Sequence, residues 1–210
     1  MAEPDQPQIY LITPPQFELG RFPGLLSRAL DAADVACLRL ALATGDEDTL
    51  LRSADVIREV AHARDIPLVI ERHVQLAERL ALDGVHLADG ARSVRAARKV
   101  LGPDAIVGAF CGVSRHDGMS AGEAGADYVA FGPCAATPLG DGSYAEAELF
   151  AWWSEMIEVP VVAEGALTAD LARRLAPVSD FFALGPEIWS TDDPAGALQA
   201  FAAAIGAESA

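Results

Sequence analysis

The chain is nearly devoid of lysine, and Lys99 is the single one among 15 basic residues. Because Lys99 falls in a helical run over residues 92–101, we expect it to face solvent, which nearly excludes Schiff-base chemistry on a lysine amine. Acidic residues outnumber basic ones by 31 to 15, and the net charge is −16. A nucleic-acid binder needs a basic surface, so we predict no nucleic-acid partner.

Cysteines and long apolar runs are also scarce. The three cysteines form no CxxC pair and their number is odd, so we expect reduced thiols rather than disulfides. No apolar run reaches the ~18–20 residues of a membrane span, and we therefore expect no membrane contact. The first seven residues are acidic and proline-rich, without the basic start of a signal peptide, which favours a cytoplasmic location.

Short apolar runs that alternate with helical patterns make up most of the chain. The apolar runs are typical of parallel strands buried on both faces. They cover residues 9–13, 35–42, 67–71, 84–87, 105–110, 128–131, 159–163 and 181–184. The helical patterns cover residues 22–33, 46–64, 74–82, 92–101, 116–124, 145–157, 168–175 and 194–205, with Asp46 and Thr168 as N-cap residues.

This alternation predicts an α/β fold, a single (β/α)8 TIM barrel. Residues 1–210 would form one domain, in which residues 8–188 carry the barrel strands and helices and residues 194–205 form the final helix. The alternative is an open, doubly wound sheet, but no GxGxxG motif follows any predicted strand.

Two arginines stand at the ends of predicted strands two and three, where barrels of this kind build their active sites. Arg39 and Arg72 could grip a phosphate bidentately without a metal ion. Asp89, after strand four, is a further ligand-binding candidate. Alternatively, both arginines pair with local acids such as Glu71 or Asp89, since inward ion pairs are common in barrels and acids are plentiful here.

Two histidines are the catalytic candidates. His86 lies inside strand four, where a lone histidine is more often a satisfied core residue than a catalyst. His116 follows strand five, in a loop that also holds Cys111, Ser114 and Arg115, and loops at this face often carry function. This loop either forms a wall of the ligand site, or Arg115 and His116 simply open the next helix.

The loops after strands seven and eight are where such barrels bind phosphate through backbone N–H groups. Gly165 and Gly185 stand there as ligand-binding candidates. Glu164 and Glu187 flank them, and a carboxylate at this place either repels a phosphate or occupies the helix N-terminus itself.

Cys111 and Cys134 follow two neighbouring predicted strands, five and six. With His116 they could bind a metal or form a redox pair. Their spacing is not a metal signature, which favours two small buried thiols. We predict no metal site.

Two stretches of the sequence carry a family resemblance. They are Asp83-Gly84-Val85-His86-Leu87 and the run Gly125-Ala126-Asp127-Tyr128-Val129-Ala130-Phe131-Gly132-Pro133. These stretches resemble thiamine phosphate synthase and its relative, the thiazole tautomerase, and the likeness extends over roughly residues 9–188. The resemblance implies a TIM-barrel transferase with Mg²⁺ as cofactor. Its substrates would be a pyrimidine pyrophosphate and a thiazole phosphate, and it would release pyrophosphate.

Residues that the family uses for this chemistry are replaced in this chain. The resemblance keeps Arg39, but places Cys37 and Ala41 where the family has the glutamine and the lysine that binds pyrophosphate. It places Arg72 and Ala91 where the family has its two magnesium ligands, with Asp89 as a nearby substitute.

The remaining motifs of the family are also altered in this chain. Thr137 aligns with the first threonine of the family's Thr-x-Thr-Lys loop, whereas Leu139 and Gly140 replace the second threonine and the lysine. Pro133 stands where the tautomerase has a histidine, and Ala166 replaces the second glycine of a phosphate loop.

We therefore expect a barrel of thiamine metabolism that binds a small phosphate, thiazole or pyrimidine ligand at the mouth, with synthase activity weak or lost and without a cofactor. The alternative is a non-catalytic binding or regulatory protein that retains the scaffold. A homo-oligomer is left open.

Overall fold

The computed structural model describes residues 6–138 and 141–206. In these residues, eight parallel strands close into a barrel in sequence order, with β8 paired to β1. The strands are β1 (Gln8–Ile12), β2 (Val35–Leu40), β3 (Leu68–Glu71), β4 (Gly84–Leu87), β5 (Ile106–Phe110), β6 (Tyr128–Phe131), β7 (Val161–Glu164) and β8 (Phe181–Leu184). The predicted TIM barrel is confirmed, and the open doubly wound alternative is wrong.

Helices surround the barrel. They are α1 (Phe22–Leu30), α2 (Glu47–His62), α3 (Val74–Arg79), α4 (Val94–Leu101), α5 (Arg115–Glu123), α6 (Ala147–Met156), α7 (Ala169–Leu175), α8 (Pro186–Trp189) and α9 (Pro194–Gly206). The N-caps are confirmed, because Asp46 accepts a hydrogen bond from the backbone N–H of Thr49 and Thr168 from that of Leu171. Among the described helices, none combines the length and apolarity that a membrane crossing requires.

The short helix α8 was not predicted from the sequence. It is a single turn directly after β8, so it is too short to show a helical repeat of apolar residues. Its position matters, because it stands at the carboxyl end of the barrel beside the loop after β7.

The strands separate two cores, since successive side chains of a strand point to opposite faces. The larger core lies between strands and helices and holds Leu11, Leu38 and Val129. The smaller one fills the barrel interior and is built around Tyr10 and Tyr128.

The barrel interior is partly polar. The hydroxyl groups of Tyr10 and Tyr128 lie 2.7 Å apart, and Nδ1 of His86 lies 2.8 Å from the Tyr128 hydroxyl. Gly108 makes room for this arrangement, because a Cβ there would meet the Tyr128 ring at 1.9 Å. These hydrogen-bonded side chains fill the barrel interior beneath the mouth.

Candidate ligand site at the barrel mouth

Arg39, at the end of β2, is buried and bound to an acid across the barrel. Its Nη1 and Nη2 atoms donate to Glu164 at the end of β7, at 3.1 and 2.5 Å, and the side chains are 4% and 19% exposed. Burial opposes the charged form of Arg39, but attraction to Glu164 outweighs it and the pKa of Arg39 is raised. The guanidinium therefore stays charged, and Glu164 neutralises it.

Glu71 links the buried arginine to an exposed one. Its carboxylate lies 3.9 Å from Arg39 Nε and 3.1 Å from Arg72 Nη2. Arg39 Nε has no hydrogen-bond partner although it is buried. Arg72 is 68% exposed and has a left-handed backbone with φ of +66°. Glu71, which the alternative interpretation named, thus lies near both arginines, but the bidentate partner of Arg39 is the distant Glu164.

The backbone donors after β7 and β8 are occupied by Glu187. One carboxylate oxygen of Glu187 accepts from the N–H of Leu167 at 3.2 Å, and the other from that of Gly185 at 3.0 Å. Gly165 and Ala166 both keep left-handed backbones, with φ of +82° and +55°. The chain's own carboxylate thus occupies one backbone donor after β7 and one after β8, where barrels of this kind bind phosphate.

His86 lies in the barrel interior beneath the rim. Its ring stacks on Tyr128, with centroids 5.8 Å apart. Burial, followed by the positive charges of Arg39 and Arg72, lowers the pKa of His86 well below its ordinary value. The imidazole is therefore neutral at physiological pH, and its Tyr128 contact makes it part of the polar core.

The loop after β5 opens the next helix. The Ser114 hydroxyl accepts from the N–H of Asp117 and caps α5. Arg115 lies over the Trp152 ring at 4.8 Å and donates to the carbonyl of Glu148, so it points toward α6. His116 lies exposed in the first turn of α5.

The remaining candidates are spread along the rim. Arg72, Asp89 and Ser93 line a cavity of about 300 Å³ between the ends of β3 and β4. Asp89 accepts a hydrogen bond from the Ser93 hydroxyl at 2.6 Å. Thr137 is half-buried in the loop after β6. The substitutions at residues 139 and 140 lie outside the described residues.

Cys111 and Cys134 are buried, free thiols. Burial raises the pKa of each to about 12. The Cys134 thiol also contacts the Glu164 carbonyl at 3.5 Å. Because the thiolate is the form that binds metals and reacts, both residues are poorly suited to either role at neutral pH.

The sequence did not reveal that Glu164 pairs with Arg39. A signal was present, because β2, β3 and β7 each carry a charged residue at or near the carboxyl end, at Arg39, Glu71 and Glu164. Such ends meet at one rim in a parallel barrel. The choice of partner depends on how the barrel closes, which the pattern of one strand does not specify.

A closed parallel barrel with charged side chains at the strand ends defines a TIM-barrel protein with its candidate site at the carboxyl face. The family model described as thiamine monophosphate synthase matches residues 9–181. The chain belongs to this family.

Individual relatives agree with that assignment. A thiamine-phosphate synthase of Rhodospirillum centenum is 42% identical over 197 residues, covering 93% of this chain and 94% of the relative. One of Erythrobacter litoralis is 41% identical over 214 residues, covering 99% and 100%. Among solved structures, the thiamine phosphate pyrophosphorylase of Pyrococcus furiosus superposes with a TM-score of 0.82 at 21% identity, covering 94% of this chain and 95% of the other. At that identity the superposition supports the fold alone.

Proposed function

We propose that the chain, as one barrel domain over residues 1–210, acts in thiamine metabolism by binding a small phosphorylated or heteroaromatic ligand at the barrel mouth, and that it catalyses the synthase reaction weakly or not at all. The observation that carries the proposal is the bidentate pairing of Arg39 with Glu164. This pairing engages Arg39, the one cationic group of the family's site that the resemblance finds retained in this chain.

Departure of pyrophosphate builds negative charge that an enzyme must stabilise with cations. Here the buried guanidinium is neutralised by Glu164, with Glu71 close by. Loss of a single electrostatic donor typically lowers a rate by ~10²–10³. Because Glu164 neutralises the buried arginine, we propose that the mouth binds a ligand but stabilises departing pyrophosphate poorly.

The magnesium that the resemblance implies does not fit the residues present. Arg72 and Ala91 stand at the two ligand positions, and a guanidinium or a methyl group offers Mg²⁺ no oxygen. Asp89 supplies a carboxylate nearby, but that carboxylate already accepts from Ser93. We therefore propose that ligand binding at the mouth is independent of Mg²⁺.

The cavity beside Arg72 is the part of the mouth best suited to hold the ligand. Its volume of about 300 Å³ is at the lower end of the range for small-molecule sites. Arg72 is the exposed cation there, paired with Glu71 at 3.1 Å, and Asp89 and Ser93 offer hydrogen bonds. A single heterocycle matches that size, and an anionic group on it would compete with Glu71 for Arg72.

Full synthase activity is the second candidate function, and the 42% identity to a named synthase over nearly the whole chain favours it. It would require the Arg39–Glu164 pair to open when substrate binds. A non-catalytic binding protein is the other alternative, and it differs from the proposal only in having no turnover.

The test combines a synthase assay with titrations of thiazole phosphate and thiamine phosphate, each with and without Mg²⁺. We expect saturable binding that Mg²⁺ does not change, together with a kcat/KM far below the ~10⁴ M⁻¹s⁻¹ of ordinary enzymes. A kcat/KM at or above that value would show that the second candidate is right. Absence of binding by either ligand would refute the ligand site.

A pair of variants tests the role of Glu164 directly. Glu164→Gln removes the charge that neutralises Arg39 while keeping an acceptor, so affinity for thiazole phosphate should rise roughly tenfold, the equivalent of one charge-assisted hydrogen bond. Glu155→Gln removes the same charge at an exposed position of α6 and should leave affinity unchanged. Equal effects of the two variants would mean that only net charge matters.

A further inference from the structure

A second cavity lies between α1 and α8, at the same carboxyl face of the barrel. Its volume is about 610 Å³, which is within the range of small-molecule sites. The end of β1, the loop leading to α1 and the turn of α8 surround it. It shares no lining residue with the cavity beside Arg72, so the inference drawn from it does not depend on the proposed function.

One wall of this cavity is a fixed set of aromatic rings. Phe17 stacks on Phe22, with centroids 4.3 Å apart and an interplanar angle of 24°. Trp189 packs edge-on against Phe22 at 5.1 Å, and its Nε1 donates to the carbonyl of Ile12 at 2.5 Å. Because the indole N–H is already used and the rings hold one another, the wall is a preorganised apolar surface.

Two arginines stand at the edge of the same cavity. Arg21 is the N-cap residue of α1 and Arg28 lies seven residues on, so both project from one side of the helix. Both are exposed, and within residues 6–138 and 141–206 no acidic group lies in ion-pair distance of either. Glu18 also lines the cavity, which leaves the local balance at one positive charge in a chain of net charge −16.

We infer that this cavity is a second ligand site, for a small monoanion with a flat aromatic body. The ring of the ligand would lie against Phe17, Phe22 and Trp189. Its acidic group would reach Arg21 and Arg28, since a guanidinium binds a carboxylate or sulfonate through paired N–H groups. A purely polar anion would leave the aromatic wall uncovered, and a neutral arene would leave the arginines without a partner.

The probe for the test is 8-anilinonaphthalene-1-sulfonate, an aromatic monoanion, with N-phenyl-1-naphthylamine as the uncharged counterpart. The native protein should bind the sulfonate saturably and its melting temperature should rise, because a ligand that binds only the folded state stabilises it. Backbone amide shifts in NMR spectra should be confined to residues 13–28 and 186–190. The uncharged arene should bind more weakly.

The variant Arg21→Gln/Arg28→Gln should weaken sulfonate binding about tenfold, because two exposed charge contacts together account for about 1.4 kcal/mol. Arg92→Gln/Arg95→Gln is the matched control, since it removes two exposed arginines near and within α4. It should leave the affinity unchanged.

Three results would overturn the inference. The first is equal weakening by both double variants, which would indicate non-specific charge attraction. The second is a set of amide shifts centred on Arg72 and Asp89. The third is the absence of saturable binding, or a lowered melting temperature, either of which would indicate that the folded cavity holds no such ligand.

Discussion

At the scale of single residues, the charged groups of the mouth are paired within the chain. Arg39 binds Glu164, Arg72 binds Glu71, and Glu187 binds backbone N–H groups. Removing one partner of a buried ion pair typically costs ~3–5 kcal/mol, because the other charge stays buried without compensation. An anion that binds Arg39 must therefore displace Glu164 from it.

Ala166 has a strained left-handed backbone near the site, as Arg72 does. It stands where the resemblance places a glycine, and it keeps a left-handed φ of +55°. A non-glycine residue pays ~1–2 kcal/mol for that conformation. The loop therefore retains a glycine-like shape although the glycine is gone.

We expect Ala166→Gly to stabilise the protein by roughly 0.5–1 kcal/mol, because relief of strain exceeds the extra flexibility that glycine gives the unfolded chain. Urea denaturation measures the change. Ala151→Gly, at an exposed position inside α6, is the control and should destabilise by about 1 kcal/mol. Destabilisation by both would show that the loop is not strained.

At the scale of elements, Glu187 connects helix α8 to the loop after β7. It belongs to α8, and its carboxylate reaches the N–H of Gly185 at the start of that helix and the N–H of Leu167 in the loop after β7. These contacts hold α8 and the β7–α7 loop in one arrangement. The single turn of α8 would otherwise have little to fix it.

Replacing Glu187 by alanine should loosen this junction. The amide protons of Leu167 and Gly185 should exchange roughly tenfold faster, since a hydrogen bond to a charged group contributes ~1.5–3 kcal/mol and 1.4 kcal/mol is a factor of ten. Hydrogen exchange followed by NMR measures the rates. The control Glu158→Ala alters an exposed acid, and unchanged protection of the two amides in Glu187→Ala would contradict the junction.

At the scale of the whole molecule, the barrel encloses titratable groups in its interior. His86 is held neutral, and burial raises the pKa of Tyr128. Both groups are uncharged at neutral pH, which suits a closed interior layer. The strongly negative surface adds self-repulsion that salt would screen.

The buried histidine makes stability depend on pH with a defined sign. The unfolded chain takes up a proton near pH 6.5, whereas the folded chain resists it until a lower pH. The unfolded state therefore binds more protons in that interval, and stability falls as the pH drops below about 6.5 toward the folded pKa.

Urea denaturation at pH 7 and pH 5, for the wild type and for His86→Gln, measures this effect. The wild type should lose more stability than the variant, because glutamine keeps a hydrogen-bonding group but does not titrate. Parallel losses in the two proteins would mean that other groups control the acid response.

The succession of strands and helices is encoded locally in the sequence. Apolar runs such as residues 128–131 and caps such as Asp46 are local, so neighbouring residues encode them and the barrel follows from their order. The motif stretches at residues 83–87 and 125–133 also indicated the family. The sequence does not predict the one-turn helix α8, because four residues are too few to show a helical repeat of apolar residues.

The roles of the polar residues depend on how distant parts of the chain meet in the barrel. Arg39 and Glu164 are 125 residues apart, and Tyr10 and Tyr128 are 118 apart. Their meeting depends on barrel closure and on the register between strands, which no local pattern contains. The same closure buries His86 and places the Glu187 carboxylate within hydrogen-bond distance of the backbone N–H groups of Leu167 and Gly185. The sequence could name these residues as candidates, but which charge neutralises which is a property of the closed barrel.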